Sequence, residues 1–198
     1  DEVHLIGDEN RGPTLEMILT HLKLLDTKPQ IIGLSATITN SNEIADWLDC
    51  KLVKNDWRPV PLSEGVCDGG KVTMSDGETF EVKPSLRGIP IDLGVQSVQN
   101  GGQSLVFAET RVRSKSLATK AADVISQLLV KKELTALEKT SKQILLENEH
   151  TEIVKTLATL VKKGVAFHHA GLNQKCREIV EKEFRKGTIK LLSSTPTL

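Results

Sequence analysis

Short apolar runs alternating with amphipathic stretches constrain this chain more than any other feature. Gln30-Ile31-Ile32-Gly33-Leu34 and Ser104-Leu105-Val106-Phe107-Ala108 are nearly continuous apolar runs, as expected of strands buried on both faces. Val165-Ala166-Phe167 and Thr188-Ile189-Lys190-Leu191-Leu192-Ser193 read as two further strands. Between these runs lie helical periodicities. Residues 13–26 place Leu15, Ile18, Leu19, Leu22 and Leu25 on one face, with Pro13 at a favourable first-turn position. Asn40 or Ser41 caps a short helix that turns Ile44, Trp47 and Leu48 inward. Residues 90–99 are weakly helical. Residues 114–131 bury Leu117, Ala121, Val124, Leu128 and Leu129, and 133–147 bury Leu134, Leu137, Ile144 and Leu145. A helix over 151–163 stops at Gly164, and one over 174–186 is capped by Asn173 and ended by Gly187. Such β-α-β alternation predicts an α/β fold, a mainly parallel sheet with right-handed crossovers flanked by helices.

One segment interrupts the alternation. Residues 51–54 read as a short strand, and residues 55–61 then bring two prolines and no periodicity, which marks a domain boundary. Residues 62–67 and 71–83 read as β, with Asp76-Gly77 in the turn of a hairpin insertion. The expected division is 1–56 and 57–198.

Composition adds bounds rather than an answer. Lys+Arg and Asp+Glu number 26 each, so net charge gives no argument for a nucleic-acid partner, although a local basic face can hide in a neutral total. Aromatic residues make up 3% and tyrosine is absent, which argues against a broad base-stacking platform. Cys50, Cys67 and Cys176 show neither metal-ligand nor disulfide spacing, and read as thiols of a reducing cytoplasm. No apolar run is long enough to cross a bilayer.

Ligands of open parallel sheets bind beyond the carboxyl ends of the strands. Polar clusters sit there: Ser35-Ala36-Thr37, Glu109-Thr110-Arg111, His168-His169-Ala170-Gly171-Leu172 and Ser194-Thr195-Pro196-Thr197. Hydroxyls and free amides leading into helix starts suit phosphate oxygens, and an arginine can clamp one through two donors. Taken singly, each cluster also reads as turn and cap residues, and adjacent His168 and His169 point apart too readily to share a metal. The pair Asp1-Glu2, followed by His4, suits metal and water handling at a nucleotide's terminal phosphates.

In this order the motifs resemble those of DExH-box helicases of superfamily 2. Asp1-Glu2-Val3-His4, Gly12-Pro13-Thr14-Leu15-Glu16 and Trp57-Arg58-Pro59-Val60 resemble the Ski-type branch, most of all the archaeal HelQ-like DNA helicases. The resemblance implies two RecA-like domains, the end of the first over 1–56 and most of the second over 57–198. It implies that Asp1 meets the Mg²⁺ of bound ATP and that Glu2 is the catalytic base. His4 with Ser35, Ala36 and Thr37 would couple the nucleotide state to domain movement. Thr110, Arg111, His168, His169, Gly171, Thr195 and Thr197 would line the nucleic-acid path, with phosphate and sugar contacts that ignore sequence. The implied function is ATP-dependent 3′ to 5′ translocation on single-stranded or forked DNA, in repair or replication restart, by a monomeric parent with no membrane partner. The alternatives are a non-catalytic single-strand-binding module and a Ski-type RNA helicase.

No Gly-x-x-x-x-Gly-Lys-Ser/Thr loop and no Gln-x-x-Gly-Arg-x-Gly-Arg stretch occurs in these 198 residues. The chain therefore reads as the segment from motif II to motif V of a longer helicase, and taken alone it is expected not to hydrolyse ATP. Residues 1–54 are expected to be too few to bury Leu15, Ile18, Leu19, Leu22, Ile31 and Leu34 by themselves. They would then pack on the second domain, pair between chains or be mobile.

Overall fold

A computed structural model describes residues 1–36, 38–55 and 57–196. The chain divides into two compact units, Asp1–Leu62 and Ser63–Leu198.

In the first unit a single 3-10 turn, Val3–Gly7, precedes helices α1 (Gly12–Leu24) and α2 (Ser41–Leu48). Pro13 lies in the first turn of α1, where its missing N–H costs nothing. Val3, Leu19 and Leu48 form a small buried cluster, against which Ile6, Leu15, Leu22, Ile44 and Trp47 pack. Lys23 Nζ donates to the Trp47 carbonyl and lies 5.6 Å above that indole ring. Among the described residues of this unit no strand is paired. The run 30–34, expected to be a buried strand, is extended but open, with Ile32 74% and Leu34 59% exposed. Its one ladder-like bond runs from the Val3 N–H to the Leu34 carbonyl (3.0 Å). Residues 51–54, also read as a strand, are irregular, with Leu52 and Val53 exposed. An apolar run becomes a buried strand only when neighbouring strands satisfy its backbone and helices cover its faces. Within this unit neither condition is met.

The second unit opens with an antiparallel meander, β1 (Gly65–Asp68), β2 (Lys71–Met74) and β3 (Thr79–Glu81). Cys67, Val72 and Phe80 share one face through their pairing. The Asp76-Gly77 turn falls between β2 and β3 as its sequence demands.

Helix α3 (Ile89–Gln99) follows, then β4 (Ser104–Phe107), α4 (Arg111–Leu128), α5 (Lys131–Glu147), α6 (Glu152–Lys162), β5 (Val165–His168), α7 (Gln174–Arg185) and β6 (Leu191–Ser194). All three strands run parallel in the order β4-β6-β5, so the last strand inserts between the first two. The buried core comprises Ile125, Leu137, Ile144, Leu157, Val161, Val165, Phe167, Leu191 and Leu192 with their neighbours. Two buried hydroxyls within it donate to carbonyls. Ser114 Oγ donates to Ser193 O (2.8 Å), and Ser141 Oγ donates to Ala158 O (2.7 Å). Gly164 ends α6 at φ +77°, a conformation side chains resist, and Leu129 and Ile125 crowd the space a Cβ would need.

Two expectations fail here. Strand β4 is not buried on both faces, since Leu105 is 39% and Phe107 59% exposed. Ser104 Oγ donates to the Gly94 carbonyl of α3 (3.1 Å), so Leu105 and Phe107 face the opposite side. β4 is an edge strand, and its side away from α3 is open. Likewise Leu128 and Leu134 stand partly exposed near the ends of their helices, and Thr140 and Ser141 take inward positions of α5.

Sequence reading missed Asp92, a buried carboxylate in the first turn of α3. Ser85 donates to it through N–H (2.8 Å) and Oγ–H (2.6 Å), and Arg87 through Nε–H (3.1 Å). Burial opposes its ionisation, yet the Ser85 and Arg87 donors hold its pKa below the ordinary 3.8. A lowered carboxylate pKa contributes stability that is complete above 3.8 and is lost as the pH falls from there through the lowered folded value. Asp92→Asn is therefore expected to destabilise the chain by about 2 kcal/mol at pH 7, with the gap to wild type closing below pH 4. Urea unfolding between pH 7 and pH 3 checks this. A gap that stays constant across that range would refute the ionised-carboxylate account.

Candidate functional site

In the first unit the acidic corner is built around His4. The bond from Val3 to Leu34 lays residues 1–4 beside residues 34–36. The Ala36 N–H donates to His4 Nδ1 (3.3 Å), which commits that nitrogen to its lone pair. The ring proton therefore sits on Nε2, 3.1 Å from Glu2 Oε2. One half-buried imidazole thus joins the Glu2 carboxylate to the backbone of the Ser-Ala-Thr cluster. Glu2 itself is at φ 59°, the left-handed region, a strained conformation for a non-glycine residue. Its N–H donates to Asp1 Oδ1 (3.0 Å), and both side chains are exposed. Ser35 Oγ donates to the neighbouring Ala36 carbonyl (2.9 Å). Thr37, the third member expected here, lies outside the described residues.

Asp1 and Glu2 offer hard oxygen donors of the kind Mg²⁺ takes. Among the described residues no group of three or more His, Cys, Asp or Glu side chains could enclose an ion. A donor set this small fits a Mg²⁺ that draws its other ligands from substrate phosphates and water.

In the second unit three strand ends share one edge. Phe107, Ser194 and His168 lie at one level of the parallel register. Ala108, Thr195 and His169 follow them, joined by bonds from Ala108 N–H to Ser194 O (2.7 Å) and from Thr195 N–H to His168 O (3.1 Å). Thr110 caps α4, its hydroxyl accepting the Arg113 N–H (3.1 Å). Arg111 and Arg113 are exposed in the first turn, and among the described residues neither is held in an ion pair. Two cations at a helix N-terminus work against the helix dipole, an arrangement that an approaching anion relieves. Ala170 and Gly171 are exposed, whereas Thr195 is buried. Thr197 lies outside the described residues.

The two histidines expected along this edge are enclosed. His168 is 1% and His169 3% exposed. His168 Nε2 lies 3.0 Å from Glu181 Oε1 of α7, a partner no spacing in the sequence announced. His169 stacks on Phe167, with ring centroids 5.3 Å apart, and its Nδ1 accepts the Gly171 N–H (3.0 Å). Burial first, then the neighbouring Arg111 charge, press the His169 pKa below the ordinary 6.5. The edge that reaches solvent therefore comprises the Thr110-Arg111 helix start and the Ala170-Gly171 turn. No helix among the described residues is long and apolar enough to cross a membrane.

Residues 1–44 match the family model of the DEAD/DEAH box helicases. Over its whole length the chain is 42% identical to an ATP-dependent DNA helicase Hel308 of Caldivirga maquilingensis, spanning 26% of that protein. It is 43% identical to the helicase of the same name from Pyrobaculum calidifontis, of which it spans 28%. For the Thermococcus kodakarensis helicase the identity is 42%, over 17% of that protein. The chain thus spans between 17% and 28% of the length of these relatives.

Proposed function

We propose, from the premise that this chain is a segment of a superfamily 2 helicase related to the archaeal Hel308 enzymes, that it serves an ATP-driven 3′ to 5′ DNA translocase. The substrate would be single-stranded or forked DNA, in repair or replication restart, in the cytoplasm and without a membrane partner. Residues 1–56 would belong to the ATP-binding RecA-like domain and 57–198 to the second. The observation that carries the reading is the exposed edge of the second unit. Thr110 and Arg111 start a helix beside a turn at Gly171, where backbone can come close to a strand. Thr195, buried one residue past β6, would act from beneath that edge. Contacts of this kind grip phosphates without reading bases, as a translocase requires.

The His4 bridge supports the nucleotide half of the reading. Bound Mg·ATP would supply the phosphoanhydride to be cleaved, with Asp1 as a ligand of the ion. Glu2 would accept the proton of the attacking water. His4 would hold the Glu2 carboxylate in place and register its state at Ala36.

Binding of the 198-residue chain to single-stranded oligonucleotides tests the proposal. Arg111→Ala is expected to weaken binding by about 5–10-fold at low salt. It is also expected to reduce the slope of log affinity against log salt by about 0.7, one phosphate's share on a single strand. RNA competing better than DNA would move the reading to an RNA helicase. Unchanged affinity and slope in Arg111→Ala would remove Arg111 from the strand path.

A further inference from the structure

We propose that His169 is a positioning residue for the strand-binding edge, and that it holds the Gly171 turn against the Arg111 side chain without touching the strand itself. This rests on the reading of that edge as a nucleic-acid path. The ring is 3% exposed, so a strand at the surface has no route to its face. One side of it lies on Phe167, in the wall of the core, at an interplanar angle of 19°. Its Nδ1 accepts the Gly171 N–H, and its own carbonyl accepts the Leu172 N–H (3.0 Å), so the turn is closed by one residue from both main chain and side chain.

At Gly171 the space a side chain would take is already limited by two neighbours. A Cβ there would lie 3.0 Å from His169 Cε1 and Nδ1 and 3.6 Å from Arg111 Cδ. A residue without a side chain therefore keeps the turn close to the imidazole and leaves the space beside the aliphatic stem of Arg111 free. Removing the acceptor frees the Gly171 amide and lets the turn leave the ring, which changes the space beside the Arg111 side chain. The acceptor role requires the neutral ring, because a protonated imidazole has no lone pair to offer. Burial, then Arg111, with His168 and Lys115, disfavour a positive charge there and outweigh the one opposing contribution, a hydrogen bond with the residue's own backbone. The Glu181 carboxylate is engaged with His168 Nε2.

Two variants separate this role from a direct contact. His169→Asn puts an amide oxygen near the position of Nδ1 and cannot be protonated, while His169→Leu keeps an apolar volume without an acceptor. Single-strand affinity of the 198-residue chain is expected to fall about 5–10-fold in His169→Leu at pH 7.5, and to stay within about 2-fold of wild type in His169→Asn. In an Arg111→Ala background His169→Leu is expected to add less than about 2-fold, because both changes remove the same contact. Amide hydrogen exchange of Gly171 without any ligand gives an independent readout. Protection is expected in wild type and His169→Asn, and its loss in His169→Leu. In wild type that protection is expected to fall as the pH drops below 6.5, and in His169→Asn to hold. Equal losses of affinity in both variants, additive with Arg111→Ala, would overturn the proposal in favour of a direct contact. An unprotected Gly171 amide in wild type would overturn it regardless of binding. If Arg111→Ala leaves binding unchanged while Gly171 is protected as described, the strand-path reading fails and the turn-closing role of His169 stands.

Discussion

Phe167→Ala is expected to cost the second unit about 3–5 kcal/mol, the largest stability loss of any single truncation considered. Phe167 is fully buried in β5 and pairs with Ser193 of β6 at the centre of the parallel sheet. Truncation deletes a ring's worth of transfer free energy and leaves a cavity in a core that closely packed helices and strands share. It also removes the surface on which His169 stacks. The turn at Gly171 is therefore expected to lose exchange protection even at temperatures where the unit stays folded. Urea unfolding measures the stability change, with Phe80→Ala as comparison. Phe80 lies in the antiparallel meander and is 43% exposed, so its truncation is expected to cost about 1 kcal/mol. Equal effects of the two substitutions would show that the parallel sheet is not where the stability resides.

The second large effect concerns chemistry. In a helicase that joins this segment to a phosphate-binding loop, Glu2→Gln is expected to lower ATP turnover by about 10²–10⁴-fold, the range typical of a lost general base. The substitution is nearly isosteric. His4 Nε2–H still finds an oxygen on the amide, so the bridge to Ala36 and the local backbone are expected to persist. What disappears is the ability to take a proton from water. ATP affinity is expected to change only a few-fold, so the loss falls on kcat and not on KM. A variant with unchanged kcat would show that Glu2 is a surface acid held near a histidine by proximity alone. Because the 198 residues contain no phosphate loop, the same substitution in the isolated chain is expected to have no turnover to lower.

Most of the second unit was legible from periodicity. The apolar spacing of 114–131, 133–147, 151–163 and 174–186 finds its helices within a few residues, and Asn173 caps α7 through its side chain at 2.8 Å from Cys176 N. Helices announce themselves because their stabilising pattern is local. Strands do so less well. The runs 30–34 and 104–108 look alike in composition, yet one has no strand beside it among the described residues and the other is an open edge. A strand's burial depends on what lies beside it, and nothing within five residues encodes that.

The site divides along the same line. Chain order alone determined that the ends of β4, β5 and β6 point one way, because right-handed βα crossovers leave few other arrangements. Thr110, Arg111, Gly171 and Thr195 could thus be placed on a common edge before any coordinates. Only the tertiary structure decided which of the residues there face outward. His168 and His169 are as polar as Arg111, but one is paired with Glu181 and the other is stacked on Phe167, while Arg111 stays in solvent. Asp92, with no motif around it, emerged as a buried carboxylate because Ser85 and Arg87 supply three donors from a loop. A side chain's polarity is fixed by its atoms, but whether it meets a ligand or a core is set by the partners that folding brings within hydrogen-bond reach.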